Sequence, residues 1–379
     1  MKKWFILQTT ALVLLLSICI FKNVQKNRLY DQNANDRWGN GLAQISIFYP
    51  LEEKPSGYFQ FLELSHRIET DLEKSAVSTD IVVDGSSGLS FPWSVCTTGK
   101  ITVSSDRGDI QLEALGVSED FFVFHPVELV YGSYIQAGDL MQDGIVIDED
   151  AAWKLFGAND VAGMQVTIGG VPHYIKGVVH KSDDRFSAKA GLEKSMCYTS
   201  IETLSSYGTI YGSYAYEIIL PNPVNNFAIN LIRNTLGQSS ETLQIVENSN
   251  RFDNSKIHDI MLNFGVRSMS SSGVIYPYYE NVARAWEDAF ALILFIEYVL
   301  AAFVIVVLLV QLFILYRAGE IRKPHPFKWL FRVIVEMRRD AQYSDKSEKR
   351  KARKEKRRKE KLQKKQDDII DLDEELEGK

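Results

Sequence analysis

Two apolar runs decide what this chain can become. Residues 4–21 (WFILQTTALVLLLSICIF) and 290–315 (FALILFIEYVLAAFVIVVLLVQLFIL) carry a single charged side chain between them, Glu297. As helices they reach about 27 Å and about 39 Å, against roughly 30 Å of bilayer hydrocarbon. Each is long enough to cross a membrane once, the second with tilt or with a projection beyond the surface. Two lysines precede the first run, no small-x-small cleavage site follows it, and its apolar stretch is long for a leader. Its Leu16-Ser17-Ile18-Cys19 quartet has Ile18 where a lipoprotein signal needs a small residue. The first run therefore reads as an uncleaved anchor.

Charge gives the two-span layout a direction. Residues 22–289 hold 20 Lys+Arg and 34 Asp+Glu, whereas 317–379 hold 21 and 14. Basic residues near a span favour the cytoplasm, so the tail is expected inside and the acidic region outside. The expected layout is a cytoplasmic start (1–3), a first span (4–21), an extracytoplasmic region (22–289), a second span (290–316) and a cytoplasmic tail (317–379). Lys22, Lys26 and Arg28 lie on the outer flank and oppose this locally.

The outer region shows a repeated order of elements. "QISIFYP" reads as a strand ended by Pro50. "SGYFQFLELSHRIETDLEKS" places Phe61, Leu64, Ile68 and Leu72 on one helical stripe, and "TDIVVDG" reads as a second strand. Downstream, "AYEIILP", "NNFAINLIRNTLG" and "ETLQIVENS" repeat strand, proline, amphipathic helix and strand. Two β-α-β units imply an α+β domain. Between them lies a compact strand-rich run, expected as an inserted subdomain at about 132–213. There "GIVID" is a strand, "EDAAWKLFG" a short helix stopped by Gly157, and "QVTIGGVPHYIKGVV" a hairpin around Gly169-Gly170.

In combination, "GVSEDFF", "ELVYGSYI", "IVIDEDAAWKLFG", "DVAGMQVTIGG" and "YIKGVV" resemble the periplasmic core domain of MacB-like ABC transporter permeases, the FtsX/MacB type. The resemblance runs over roughly 115–179, and the flanking units and spans extend it over most of the chain. It implies a porter-like part, a smaller inserted part, and a helix pair coupling cytoplasmic ATP hydrolysis to movement outside. It also implies two further spans, in whose place this sequence has a charged tail. The expected partners are therefore an ABC ATPase subunit, which binds the ATP, and a further permease chain.

Catalytic chemistry finds no foothold. The nearest Gly-Lys, Gly99-Lys100, lacks the glycine of a phosphate loop at Ser94, and no His-Glu-x-x-His, Cys-x-x-Cys or Gly-x-Ser-x-Gly occurs. His125, His173 and His180 read as surface or partly packed groups rather than metal ligands. Asp148, Glu149 and Asp150 read as charge at a helix start. No catalytic, cofactor or metal residues are expected. Whether Cys96 and Cys197 pair stays open.

Four further features bear on partners. Glu297, about 10 Å down the second span, is a candidate contact to another membrane helix, as is Gln311. "SGVIYPYYENVARAWEDAF" approaches the membrane with an aromatic belt, and a helix continuous from about Asn281 would form a stiff stalk. "PFKWLFRVIVEMRRD" sets Phe327, Leu330, Phe331 and Ile334 on one face, for the inner membrane surface or for the ATPase. Residues 346–365 hold 13 Lys+Arg, suited to a solvated tail that fixes topology or to anionic lipid. The run has no aromatic residues for base stacking, so nucleic acid is not expected. The functional expectation is a non-hydrolysing membrane subunit of a MacB-like ABC complex. The other reading is an independent envelope scaffold or adhesion protein.

Overall fold

The structure is a computed structural model. It describes residues 2–317, apart from 30–33, 40, 54, 56, 76, 78–90, 137–138, 140, 183 and 266–272. The expected strand at 79–85, the segment with Phe327, Leu330, Phe331 and Ile334, and the basic tail lie outside the described residues.

One ten-stranded sheet runs β10-β1-β9-β2-β3-β8-β5-β7-β4, ending at β4 (Leu129–Gly132), with β6 off this path against β2 and β7. β1 (Leu42–Phe48) is antiparallel to both β9 (Thr209–Pro221) and β10 (Gln244–Glu247). β9 is in turn antiparallel to β2 (Trp93–Ser105). Hence β1 and β2 run the same way with β9 between them, and β9 and β10 run the same way with β1 between them. Two β-α-β crossovers are threaded through one another, the split arrangement of ferredoxin-like folds. The second copy follows the expected order, while the first is closed by β2 rather than by the expected strand at 79–85, and neither copy closes without a strand of the other.

The crossover helices, α2 (Tyr58–Lys74) and α5 (Phe227–Leu236), cover one face of these strands. The stripe Phe61, Leu64, Ile68 and Leu72 is buried as the periodicity predicts, against Ile45, Ile47, Trp93, Tyr216 and Ile218. Period two along β1 sends Ile45 and Ile47 to this face and Gln44, Ser46 and Phe48 to the other.

A second core forms where the long hairpin of β2 and β3 (Gly108–Glu119) meets β5 (Gly144–Asp148), β6 (Gln165–Ile168), β7 (Val171–Val179) and β8 (Met196–Ser200). Its helix α3 (Glu149–Phe156) begins at Asp148, whose carboxylate accepts from Ala151 N at 2.7 Å and Met196 N at 2.8 Å. Gly157 ends it in the left-handed region at φ 75°. Gly169 and Gly170, at φ 58° and 83°, form the turn between β6 and β7, where a side chain would be strained. Cys96 and Cys197 are buried and unpaired. They lie on β2 and β8, on opposite sides of β3. Two strand spacings are about 10 Å, beyond disulfide reach.

Helix α1 (Lys2–Arg28) contains the first apolar run and the 40-residue helix α7 (Tyr278–Arg317) contains the second. Both are long and apolar enough to cross a membrane. α7 starts earlier than the expected Asn281, directly after Pro277, and is about 60 Å long. Its upper turns belong to the folded body: Tyr279 joins a core with Phe48, Cys96 and Phe121, and Phe290, Ala291 and Leu294 pack with Leu29, Phe252 and Ile257. Ile257 is on α6 (Asn254–Leu262).

Candidate functional site

Gln44 and Ser46 face away from the helices, yet they are as buried as the apolar residues beside them. Glu217 sits directly across from Ser46 and is 2% exposed. A carboxylate there needs partners. It has three: Ser46 Oγ donates at 2.6 Å, Gln44 Nε2 donates at 3.3 Å, and His125 Nε2 meets the second oxygen. Trp38 Nε1 donates to Gln44 Oε1 at 2.9 Å. Burial alone would push the Glu217 carboxyl up, but His125 and these hydrogen bonds hold it below the ordinary value.

The chain of bonds continues toward α7. Asn248, just past β10, donates through Nδ2 to Ser46 Oγ at 2.6 Å, and its Oδ1 accepts from Arg251 Nη1 at 3.1 Å. Arg251 then grips Glu280 with Nη1 and Nη2 at 2.6 and 2.8 Å, and Glu287 with Nε at 2.5 Å. Arg251, Glu280 and Glu287 side chains are 6%, 2% and 8% exposed. Arg284 closes the far side, donating from Nε to Glu280 at 2.6 Å while its guanidinium lies 3.9 Å from the Tyr276 ring centre. Burial would lower the Arg251 pKa, but the two carboxylates raise it above the ordinary arginine value. The guanidinium stays charged, and its fork suits a bidentate carboxylate.

Tyr279, the neighbour of Glu280, completes the junction. Its ring stacks on His125 at 3.6 Å between centres and its hydroxyl is 3.2 Å from Cys96 Sγ. Consecutive residues of α7 therefore hold both ends of one buried polar chain. Beside it opens a cleft of about 360 Å³, lined by His125, Asp148, Tyr198, Tyr278, Tyr279 and Val282 among others. His125 is thus not the surface or partly packed group the sequence suggests. It is buried and paired. His180 is exposed and pairs with Glu149 at 2.8 Å, and His173 is buried near Thr203. No cluster able to hold a metal ion occurs among the described residues.

Glu297 is paired within the chain: Lys22 Nζ donates to it at 2.6 Å, and their side chains are 14% and 9% exposed. One turn on, Lys26 meets Asp253 at 3.2 Å. Gln311 lies further along α7 and is half-buried. The sequence reading missed Arg251, Glu280, Glu287 and Glu217. The first clue was Glu280, Arg284 and Glu287 at helical spacing on the approach to an apolar span. The second was a lone carboxylate in the otherwise uncharged strand "AYEIILP".

Residues 45–231 match the family described as the MacB-like periplasmic core domain. Among solved structures, the chain is similar to the periplasmic region of MacB from Actinobacillus actinomycetemcomitans, at TM-score 0.35 and 15% identity over 60% of this chain and 94% of that one. It is also similar to the extracellular domain of the noncanonic ABC-type transporter YknZ from Gram-positive bacteria, at TM-score 0.34 and 17% identity over 54% of this chain and 99% of that one. No curated protein matches.

Proposed function

Because this chain is a MacB-like periplasmic core domain protein, we propose that it is a non-hydrolysing membrane subunit of an ABC-type transporter complex. Its outer domain takes up conformational change driven by a partner ATPase and uses it to handle a substrate or protein outside the membrane. The observation that carries this is the joint of Arg251, Glu280 and Glu287. A helix that enters the membrane is fixed to the sheet by a buried charge cluster rather than by a flexible linker, so displacement of the helix displaces the domain.

Charge pairing supports an outward-facing domain. Lys22 and Lys26, two of the three basic residues that oppose this orientation, are matched by Glu297 and Asp253. The Lys/Arg excess of 317–379 then acts as the retained cytoplasmic signal. In this reading Glu297 ties the two spans together through Lys22, and Gln311 is the candidate contact for a helix of a further permease chain. Phe327, Leu330, Phe331 and Ile334 are the candidate inner-surface or ATPase contact.

The experiment is a pull-down through the C-terminal tail in mild detergent, read by mass spectrometry. Stoichiometric recovery of an ATPase and a second permease chain is expected. Recovery of the chain alone, or with wall components only, overturns the proposal in favour of an envelope scaffold.

A further inference from the structure

The depth of each part of the molecule relative to the membrane follows from one ion pair. Lys22 is the first charged residue after the run 4–21, and it reaches Glu297. Long basic side chains mark the rim of the hydrocarbon layer, so Lys22 and Glu297 set its outer edge. From Tyr298 to Leu315 there are 18 residues, equal to the 18 of 4–21, and each stretch is about 27 Å as a helix. The turns above, with Phe290, Ala291 and Leu294, are covered by Leu29, Phe252 and Ile257 rather than by lipid.

Helix α6 runs down beside these turns. The Phe252 ring, just ahead of it, packs on Phe290 at 5.4 Å between centres. His258 in its second turn lies 6.0 Å from Tyr298, one residue past the rim. The next turn therefore passes the rim, and there the surface changes character: Leu262 is 67% and Phe264 49% exposed. On α7, Phe295 and Val299, which flank the rim residue Glu297, are likewise exposed apolar side chains. Asn263, between Leu262 and Phe264, donates one side-chain N–H to Asp259 O at 2.9 Å, which satisfies part of its polar amide within the helix.

We propose that the C-terminal end of α6 dips into the outer leaflet, with Leu262 and Phe264 set in the boundary between lipid headgroups and acyl chains. The partner of this surface is lipid. Interfacial helices bind in this way, with apolar side chains buried just below the headgroups. α6 begins three residues after Arg251, so the lipid contact and the buried joint on α7 are held by one short segment.

The test uses the full chain in phosphatidylcholine–phosphatidylglycerol nanodiscs, with Cys19→Ser to remove the one cysteine that is not buried. Nitroxide labels go on Leu262→Cys and Phe264→Cys. Met141→Cys, 77% exposed on the loop before β5, is the aqueous reference, and Leu14→Cys on α1 is the bilayer reference. Power-saturation spectra with oxygen and with a water-soluble nickel chelate give the depth of each label. At 262 and 264, accessibility to oxygen relative to the chelate is expected to exceed that at Met141 several-fold, as at Leu14. Labels that read like Met141 overturn the proposal. Labels shielded from both reagents also overturn it, since protein would then cover the site. The Leu14 label checks the membrane-spanning reading separately, so failure of one is not mistaken for failure of the other.

Discussion

Around α3, the side chains of Ile145, Ile147, Leu112 and Leu155 are shut from water among other aliphatic groups. At the head of α7, Gln44, Ser46, Glu217, Asn248 and Arg251 are buried too, and they answer one another atom by atom. An aliphatic core is non-directional and tolerates small shifts at modest cost. A buried polar chain permits few geometries, and loss of one member strands the rest. The first region keeps a lobe folded. The second fixes one position of the sheet against the helix that enters the membrane.

This contrast can be broken in order of expected effect. Arg251→Met leaves Glu280 and Glu287 buried without their cation and is expected to cost about 3–5 kcal/mol in urea unfolding of the detergent-solubilised chain. Adding Glu280→Leu and Glu287→Leu should restore most of that loss; a cost that stays after all three changes would mean the joint is not electrostatic. Leu155→Ala, in the aliphatic core, is expected to cost about 3 kcal/mol as a cavity term and to leave α7 attached. Limited proteolysis releasing α7 from that variant would erase the distinction between the two regions.

Glu217→Gln is expected to cost about 2 kcal/mol at pH 7. Its carboxyl titrates below the ordinary value of 4.5 in the folded state. The stability it contributes is therefore fully present above that value and is lost as pH falls through the lower, folded one. Unfolding midpoints measured across the acid range should fall less steeply in Glu217→Gln than in the native chain; parallel curves would remove Glu217 from the network. The smallest effect is expected for Asp148→Ala, about 1 kcal/mol from losing the cap on α3. Hydrogen exchange should show it confined to α3 and β8, and spread to α7 would contradict the separation.

The lobe around α3 was largely legible in the sequence because its signals are local. Asp148 caps three residues ahead, Gly157 stops its own helix, and Gly169-Gly170 turns its own hairpin. The stripe of α2 was legible for the same reason. The polar chain was not, because it joins five distant stretches, at 38–46, 125, 217, 248–251 and 280–287, and no spacing along the sequence relates one stretch to another. His125 follows Phe121-Phe122-Val123-Phe124, which gives no sign of the carboxylate it meets 92 positions later. Likewise, the run 290–315 gave the existence of a membrane helix but not its depth, which depends on Lys22 from the other end of the chain.

The position of β1 between β9 and β10 has a consequence for how the molecule is made. During synthesis β1 leaves the ribosome about 160 residues ahead of its first partner strand. At roughly 5–20 residues per second it spends on the order of 10–30 s with both edges open. A ribbon with the sequence LAQISIF in that state invites pairing with any other nascent chain. Translation of this protein thus builds in a waiting period, tethered beside the translocation pore, in which a holdase chaperone would do most to raise its yield.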